Sequence, residues 1–367
     1  MVNSSDLRQQ PSSDNSLIRA LLGTLSYNPG YVISVALEAQ TGDAGLFGGA
    51  LWASTGAKDA FTKAAAAWSA VANVTITIVS DNYQGTGDRS AYTWVEQLTD
   101  LGDTVLGEHA LPGPGDLGGA FNLAESSFNV AGNREGGYSF VTFLHEIGHG
   151  LGLTHPFDGP ANLPGVTGPY SAGDNGLNTL LTTVMSYNDN IGGIHPVSDE
   201  YGWVSTPMAF DIAAIQLIYG PNMSTRAGND IYLLPTQNNT TASWLAIWDA
   251  GGIDTISAAG STAGAVIDLR PASLLNEPGG GGWVSRVNGV YGGITIANGV
   301  VIENATGSDF NDQITGNDAA NTLVGAAGED RIWGGRGNDS IEGGAGRDEL
   351  HGGDGDDLIV GGTGLNI

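Results

Sequence analysis

From Gly307 to Val360 the chain repeats every nine residues without a gap, as GSDFNDQIT, GNDAANTLV, GAAGEDRIW, GGRGNDSIE, GGAGRDELH and GGDGDDLIV. The eighth position is always Ile or Leu: Ile314, Leu323, Ile332, Ile341, Leu350 and Ile359. The sixth is Asp312, Asn321, Asp330, Asp339, Asp348 and Asp357. A flexible glycine linker does not hold an apolar residue in a nine-residue register. Each unit therefore reads as a glycine-rich turn followed by a short strand whose apolar side chain points into a thin core. The turns would bring backbone carbonyls and the five aspartates onto Ca²⁺, and two units would make one turn of a parallel β-roll. Twelve carboxylates against three arginines give these 54 residues a net charge of −9, which repels itself unless cations are bound.

A second pattern lies upstream. The run from His145 to His155 holds three of the six histidines of the chain. His145 and His149 are four apart, so on a helix they share a face one turn apart and can present two imidazole nitrogens to one Zn²⁺. Gly152 can take φ > 0 and stop the helix, so that the chain doubles back and His155 supplies a third ligand. Three neutral ligands leave a fourth position open to water, the pattern of a catalytic zinc site and not of a structural one. Glu146, one step round the helix, can take a proton from that water without ligating the metal. The plain alternative is an amphipathic helix with ordinary histidines, against which Gly152 and His155 stand at fixed spacing.

Composition bounds the rest. At 367 residues, 41% apolar and 14% charged, the chain is a globular protein long enough for two domains. It has no cysteine, so stability outside a cell would come from something other than disulfides, and calcium is the obvious candidate. Twelve basic and 39 acidic residues give a net charge of −27, which argues against nucleic acid or an anionic membrane as partner and suits a binder of divalent cations. No run reaches the length of a membrane span. The first residues, to about Ser16, are polar and lack the basic start and apolar core of a secretory signal; they read as a leader, a propeptide remnant or a frayed end.

In chain order, Tyr31 to Leu37 alternates as a first strand, and Thr55 to Ala72 is a helix with Phe61, Ala64, Ala65, Trp68 and Val71 on one face. Val74 to Val79 is a strand, and Tyr92 to Leu98 reads equally as helix or strand. Leu106 to Leu111 is a candidate edge strand beside the zinc run and Ala120 to Ala124 the next strand. Such an edge could add a substrate peptide as an antiparallel strand, or simply be covered by the following loop. Tyr138 to Gly150 is the apolar helix carrying the first two ligands, with Phe140, Phe143, Leu144 and Ile147 inward. A Gly/Pro/Asn-rich loop runs from Pro156 to about Asn178, and Thr183 to Asn188 follows with Met185 and Tyr187. Asp211 to Tyr219 is a closing helix ended by Gly220-Pro221. Strands are expected at Trp244 to Trp248, Val266 to Leu269 and Ile294 to Ala297, and Arg226, Gly228, Asp230, Asp249, Gly251 and Asp254 resemble a further calcium-loop arrangement.

Together these features resemble the serralysin family of secreted bacterial zinc metalloproteases, metzincins with a C-terminal RTX roll. The resemblance covers roughly residues 55 to 360. It rests on His145-Glu146-x-x-His149-x-x-Gly152-x-x-His155-Pro156, on Met185-Ser186-Tyr187, on Asp211 to Gln216 with Tyr219-Gly220, on Trp248 to Gly252 and on the nonads. It implies an α+β metzincin-type protease domain over 18–220 after a leader over 1–17, then an all-β parallel β-roll over 221–367, cut short at its C-terminal end. It implies one catalytic Zn²⁺ on His145, His149 and His155, Glu146 as general base, and Met185 as a Met-turn beneath the metal. Tyr187 would face the metal as a fifth, displaceable ligand or as a donor to the oxyanion. Several structural Ca²⁺ ions, broad endopeptidase activity on proteins or peptides, a proteinaceous inhibitor as a further partner, a monomeric state and export by a type I route without a signal peptide complete the expectation. The rival reading is a calcium-dependent binding or surface-layer module whose protease domain is inactive.

Overall fold

The computed structural model describes residues 2–38, 52–83, 91–102, 104–115, 118–189, 196 and 198–364. The chain forms two compact units, Met1–Asn222 with Leu274–Pro278, and Met223–Ser273 with Gly279–Ile367.

The first unit is mixed α/β. Its main sheet has the spatial order Thr75–Tyr83, Val32–Glu38, Trp94–Thr99, Gly119–Asn122, Gly107–His109. All neighbours are parallel except the last, so Gly107–His109 is an antiparallel edge, shorter than the expected strand but in its expected place. Parallel pairing needs a crossover, and the Ala57–Val71 helix lies within the one between Val32–Glu38 and Thr75–Tyr83. Its apolar stripe, Phe61, Ala64, Ala65, Trp68 and Val71, is buried as its spacing requires. Trp68 donates its indole N–H to Leu144 O at 3.1 Å, which ties this helix to Tyr138–Gly150. Phe121 and Phe143 pack with ring centroids 4.3 Å apart, joining sheet to helix.

Tyr92 to Leu98 resolves as a strand, Trp94–Thr99. It lies inside the sheet and buries both faces at Trp94, Val95 and Glu96, which erases the alternation that identifies a strand in sequence. The polar start of the chain also joins this unit: Leu7–Gln9 pairs antiparallel with Leu25–Tyr27.

The second unit is all-β. Successive nonads alternate between two sheets, and pairings run 18 residues apart, as in Leu323↔Ile341 and Ile332↔Leu350. Two repeats therefore make one turn. Ile314, Leu323, Ile332 and Ile341 are buried. The inward apolar position fails at Ile359, which is 45% exposed, because Leu358–Thr363 is the edge strand of its sheet and nothing among the described residues stacks on it.

Candidate metal centre

The helix that carries the first two histidines spans Tyr138–Gly150, with Phe140, Phe143, Leu144 and Ile147 fully buried. Gly152, at φ +106°, reverses the chain, a conformation that an L side chain rarely adopts. His155 thereby returns to the helix. Its Nε2 lies 3.1 Å from that of His145 and 3.0 Å from that of His149.

Each ring has an acceptor at its other nitrogen. His145 Nδ1 donates to Val184 O at 2.8 Å, His149 Nδ1 to Leu153 O at 2.8 Å, and His155 Nδ1 to the Asp158 carboxylate at 2.9 Å. These partners place the proton on Nδ1 and leave three Nε2 lone pairs facing one another. Such an arrangement is repulsive until a cation occupies it, and three neutral imidazoles are the donor set that suits Zn²⁺. Burial, reinforced by His155, pushes His145 down to about 3; burial and its two histidine neighbours hold His149 well below the usual imidazole range.

Glu146 is buried beside the cluster. Gly107 of the edge strand leaves room for it: a Cβ there would stand 2.9 Å from Glu146 Cγ. Burial pushes the Glu146 carboxyl up to about 8 against the pull of His109, with Glu96 and Glu108 adding to the rise. Tyr187 is 46% exposed and flanks the cluster, its ring centroid 4.8 Å from that of His155 and 5.5 Å from that of His145. Burial, then the charges of Glu146 and Asp158, push its phenol up to about 12. Met185 is fully buried under the helix, where a Cβ at Gly148 would lie 2.7 Å from its sulfur.

Three features here escape a reading of the sequence. Asp158 orients His155. Asp211, read from sequence as the start of a helix and of a family motif but with no role assigned, is fully buried and accepts from Thr183 Oγ1 (2.5 Å), Val184 N (2.7 Å) and Met208 N (2.8 Å). It thus holds Val184, the residue whose carbonyl orients His145, by its N–H. Asp211→Ala is expected to cost about 3 kcal/mol, since it strands two buried N–H groups, whereas Asp211→Asn keeps an oxygen for both and costs about 1 kcal/mol. Urea denaturation of the metal-free protein measures the two, and equal costs would show that the acceptor oxygen is not what matters. Third, His109 and Glu96 form a wholly buried pair, Nε2 to Oε1 3.0 Å, while His109 Nδ1 faces Ala110 O at 2.8 Å. Burial pulls the His109 imidazole down, but the Glu96 charge and hydrogen bond outweigh it and leave the group raised.

The second unit offers further cation seats. Oxygens of Asp230, Asp249 and Asp254 lie within 4.8 Å of one another. Gly228 and Gly252 bring their two loops into close approach, and Gly251 takes φ +130°. The Arg226 guanidinium pairs with Asp230 at 3.3 Å and lies over Tyr232, so the side chain supplies a countercharge and not a ligand atom. In the nonads, Oδ1 of Asp330, Asp339, Asp348 and Asp357 accepts the N–H of the residue 18 positions earlier at 2.9 to 3.1 Å. The other oxygen of Asp330 and Asp339 is buried with no hydrogen-bond partner. Gly325, Gly334 and Gly343 face the Oδ2 atoms of Asp330, Asp339 and Asp348, where a Cβ would stand 2.2 to 2.5 Å away. Orphaned buried carboxylate oxygens are what a bound cation relieves, and hard Ca²⁺ takes such ligands. Asp312 differs, because Ser308 donates to it through both N and Oγ and Ala265 N donates to its Oδ1. Burial pushes Asp330 up to about 7 and raises Asp312 and Asp339.

Three imidazoles converge beside a buried glutamate to form a candidate metal centre, in a chain whose second unit carries acidic, glycine-rich repeats. Residues 306–341 and 333–367 match the RTX calcium-binding nonapeptide repeat. Serralysin C of Dickeya chrysanthemi is 36% identical over 265 residues, covering 67% of this chain and 50% of that protein. Serralysin of Proteus mirabilis is 36% identical over 280 residues (70% and 53%), and metallopeptidase AprA of Pseudomonas marginalis 35% over 267 (67% and 51%). The chain belongs to the serralysin family, and it spans about half the length of the curated relatives it matches. Among the described residues no helix is long and apolar enough to cross a membrane.

Proposed function

We propose that the chain is a zinc-dependent endopeptidase with a metzincin-type catalytic domain, stabilised by calcium in its roll. The observation that carries this reading is the convergence of the His145, His149 and His155 Nε2 atoms beside buried Glu146. When bound there, Zn²⁺ supplies a Lewis acid for hydrolysis of an amide. The three imidazoles hold it, each fixed in orientation by the acceptor on its Nδ1. Glu146 takes a proton from the attacking water and returns it to the leaving amine. The Tyr187 hydroxyl, at the open side of the cluster, donates to the oxyanion of the tetrahedral intermediate. The edge strand Gly107–His109 receives the substrate backbone by antiparallel pairing, which makes affinity largely independent of side chains and suits protein substrates of varied sequence.

Asp330, Asp339, Asp348 and Asp357, with Asp312 completing the first turn, hold Ca²⁺ in the roll, and Asp230, Asp249 and Asp254 hold a further ion. Lack of cysteine and a net charge of −27 fit an extracellular monomer stabilised by cations, exported by a type I route. The test is metal analysis of the purified protein with a casein-hydrolysis assay before and after zinc chelation. About one zinc per chain and activity that zinc restores are expected; zinc-loaded protein without hydrolysis would support the binding-module reading instead.

A further inference from the structure

The turn between His149 and His155 closes on the helix through Gly152 N to His149 O (2.8 Å) and Leu153 N to Gly148 O (2.9 Å), and it is also held from outside. Gly152 O, at its apex, accepts two hydrogen bonds from the amino-terminal part of the chain: Gly23 N at 3.0 Å and Gln10 Nε2 at 2.7 Å. Gln10 Nε2 uses its other hydrogen on Leu25 O at 2.9 Å, and Gln10 N donates to Thr24 O at 3.1 Å. Two carbonyl acceptors on one atom fix which end of the carboxamide is nitrogen. The Gln10 oxygen is buried with no hydrogen-bond partner, so the side chain serves this contact through its donors alone.

The same stretch continues along the turn. Leu22 and Leu153 form an antiparallel bridge, and Thr154 N donates to Leu21 O at 3.0 Å. Fit is close on both sides: a Cβ at Gly152 would stand 2.4 Å from Gln10 Nε2, and one at Gly23 would stand 2.7 Å from Gly152 O. What the turn carries is the metal centre itself. Leu153 O is the acceptor that orients the His149 ring, and two residues later His155 supplies the third nitrogen. A turn free to shift by an ångström would lose both together.

We propose that Gln10 is a positioning residue of the metal centre: its carboxamide ties the amino-terminal strand to Gly152 and so fixes the turn that presents Leu153 O and His155. The polar segment before residue 18 is then part of the site's scaffold. This rests on the zinc reading above. Groups that orient ligands at one remove typically change metal affinity 10- to 100-fold, and Gln10 acts one step further out, so an effect of about tenfold is expected.

The measurement is the rate at which zinc-loaded protein loses zinc to a competing chelator, followed by a coloured chelator complex. Gln10→Met keeps the length and removes both donors, and should release zinc about tenfold faster than the unsubstituted protein. Gln9→Met, an exposed change one residue earlier at the end of the Leu7–Gln9 strand, should match the unsubstituted rate. Thermal midpoints with and without zinc give a second readout. A purely structural role lowers both equally, whereas the positioning role narrows the gap between them. If Gln10→Met does not fold, Gln10→Asn, which keeps the donors one methylene short, carries the same test. Zinc release within twofold of the unsubstituted rate in the folded variant would overturn the proposal. Absence of zinc from the unsubstituted protein would instead overturn the zinc reading on which it stands.

Discussion

Glu146→Gln is expected to lower turnover on casein by about 10³-fold or more while zinc content stays at that of the unsubstituted protein. General acid–base catalysis by a positioned side chain contributes typically 10²- to 10⁴-fold, and here one carboxylate serves both the attack and the departure of the amine. Glutamine has nearly the same shape, so the contact with Gly107 is kept and none of the three Nε2 atoms or their Nδ1 acceptors is touched. A folding defect can be told apart from loss of the base. In the metal-free chain burial pushes this carboxyl up to about 8. An acid with a raised folded pKa gives stability that is fully present below its unfolded value and is lost as pH rises through the folded one. Metal-free protein should therefore lose stability as pH rises through 8, and the glutamine variant should lose less, keeping only the part of that loss that Asp211 and the other buried acids contribute. Near-normal hydrolysis by Glu146→Gln would remove Glu146 from the chemistry.

What the sequence makes legible and what it hides divide along physical lines. The three histidines sit within eleven residues, and helix periodicity with one left-handed glycine brings them together, so their convergence follows from local rules. Their orienting acceptors do not: Val184 O and Leu153 O are main-chain atoms, available from any residue type and brought into place by tertiary packing. Glu96 and His109 stay hidden for a related reason. They lie on different strands, and a wholly buried ion pair inside an apolar layer leaves no periodic trace in either. The roll is readable almost turn by turn because each rung contacts only its neighbours, and the inward position weakens at the last described rungs, where Leu350 is half-buried and Ile359 exposed with no described rung stacked on it. For Arg226 the loop was recognisable, while the direction of its side chain, towards Asp230 and Tyr232, depends on contacts that sequence spacing does not encode.

Calcium chelation at pH 8 is expected to unfold the roll first, with loss of most of its strand signal in circular dichroism and of amide protection over 322–360, while the Tyr138–Gly150 helix stays protected. One ion at a hundred times its dissociation constant contributes about 2.7 kcal/mol. Two such ions, one for each orphaned oxygen of Asp330 and Asp339, would contribute about 5 kcal/mol, which reaches the whole stability of a marginal domain. A core of one apolar side chain per nonad has little with which to replace it. Acidity should change the outcome in a defined direction. Burial raises Asp312 and Asp339 and pushes Asp330 up to about 7, so in the chelated protein their contribution is fully present below about pH 4 and is lost as pH rises through 7. Chelated protein should thus keep more strand at pH 5 than at pH 8. With calcium present the order reverses, because the ion binds the deprotonated carboxylates. Identical strand content at pH 8 with and without the chelator would mean that the orphaned oxygens are not cation seats, and that the roll stands on its apolar ladder alone.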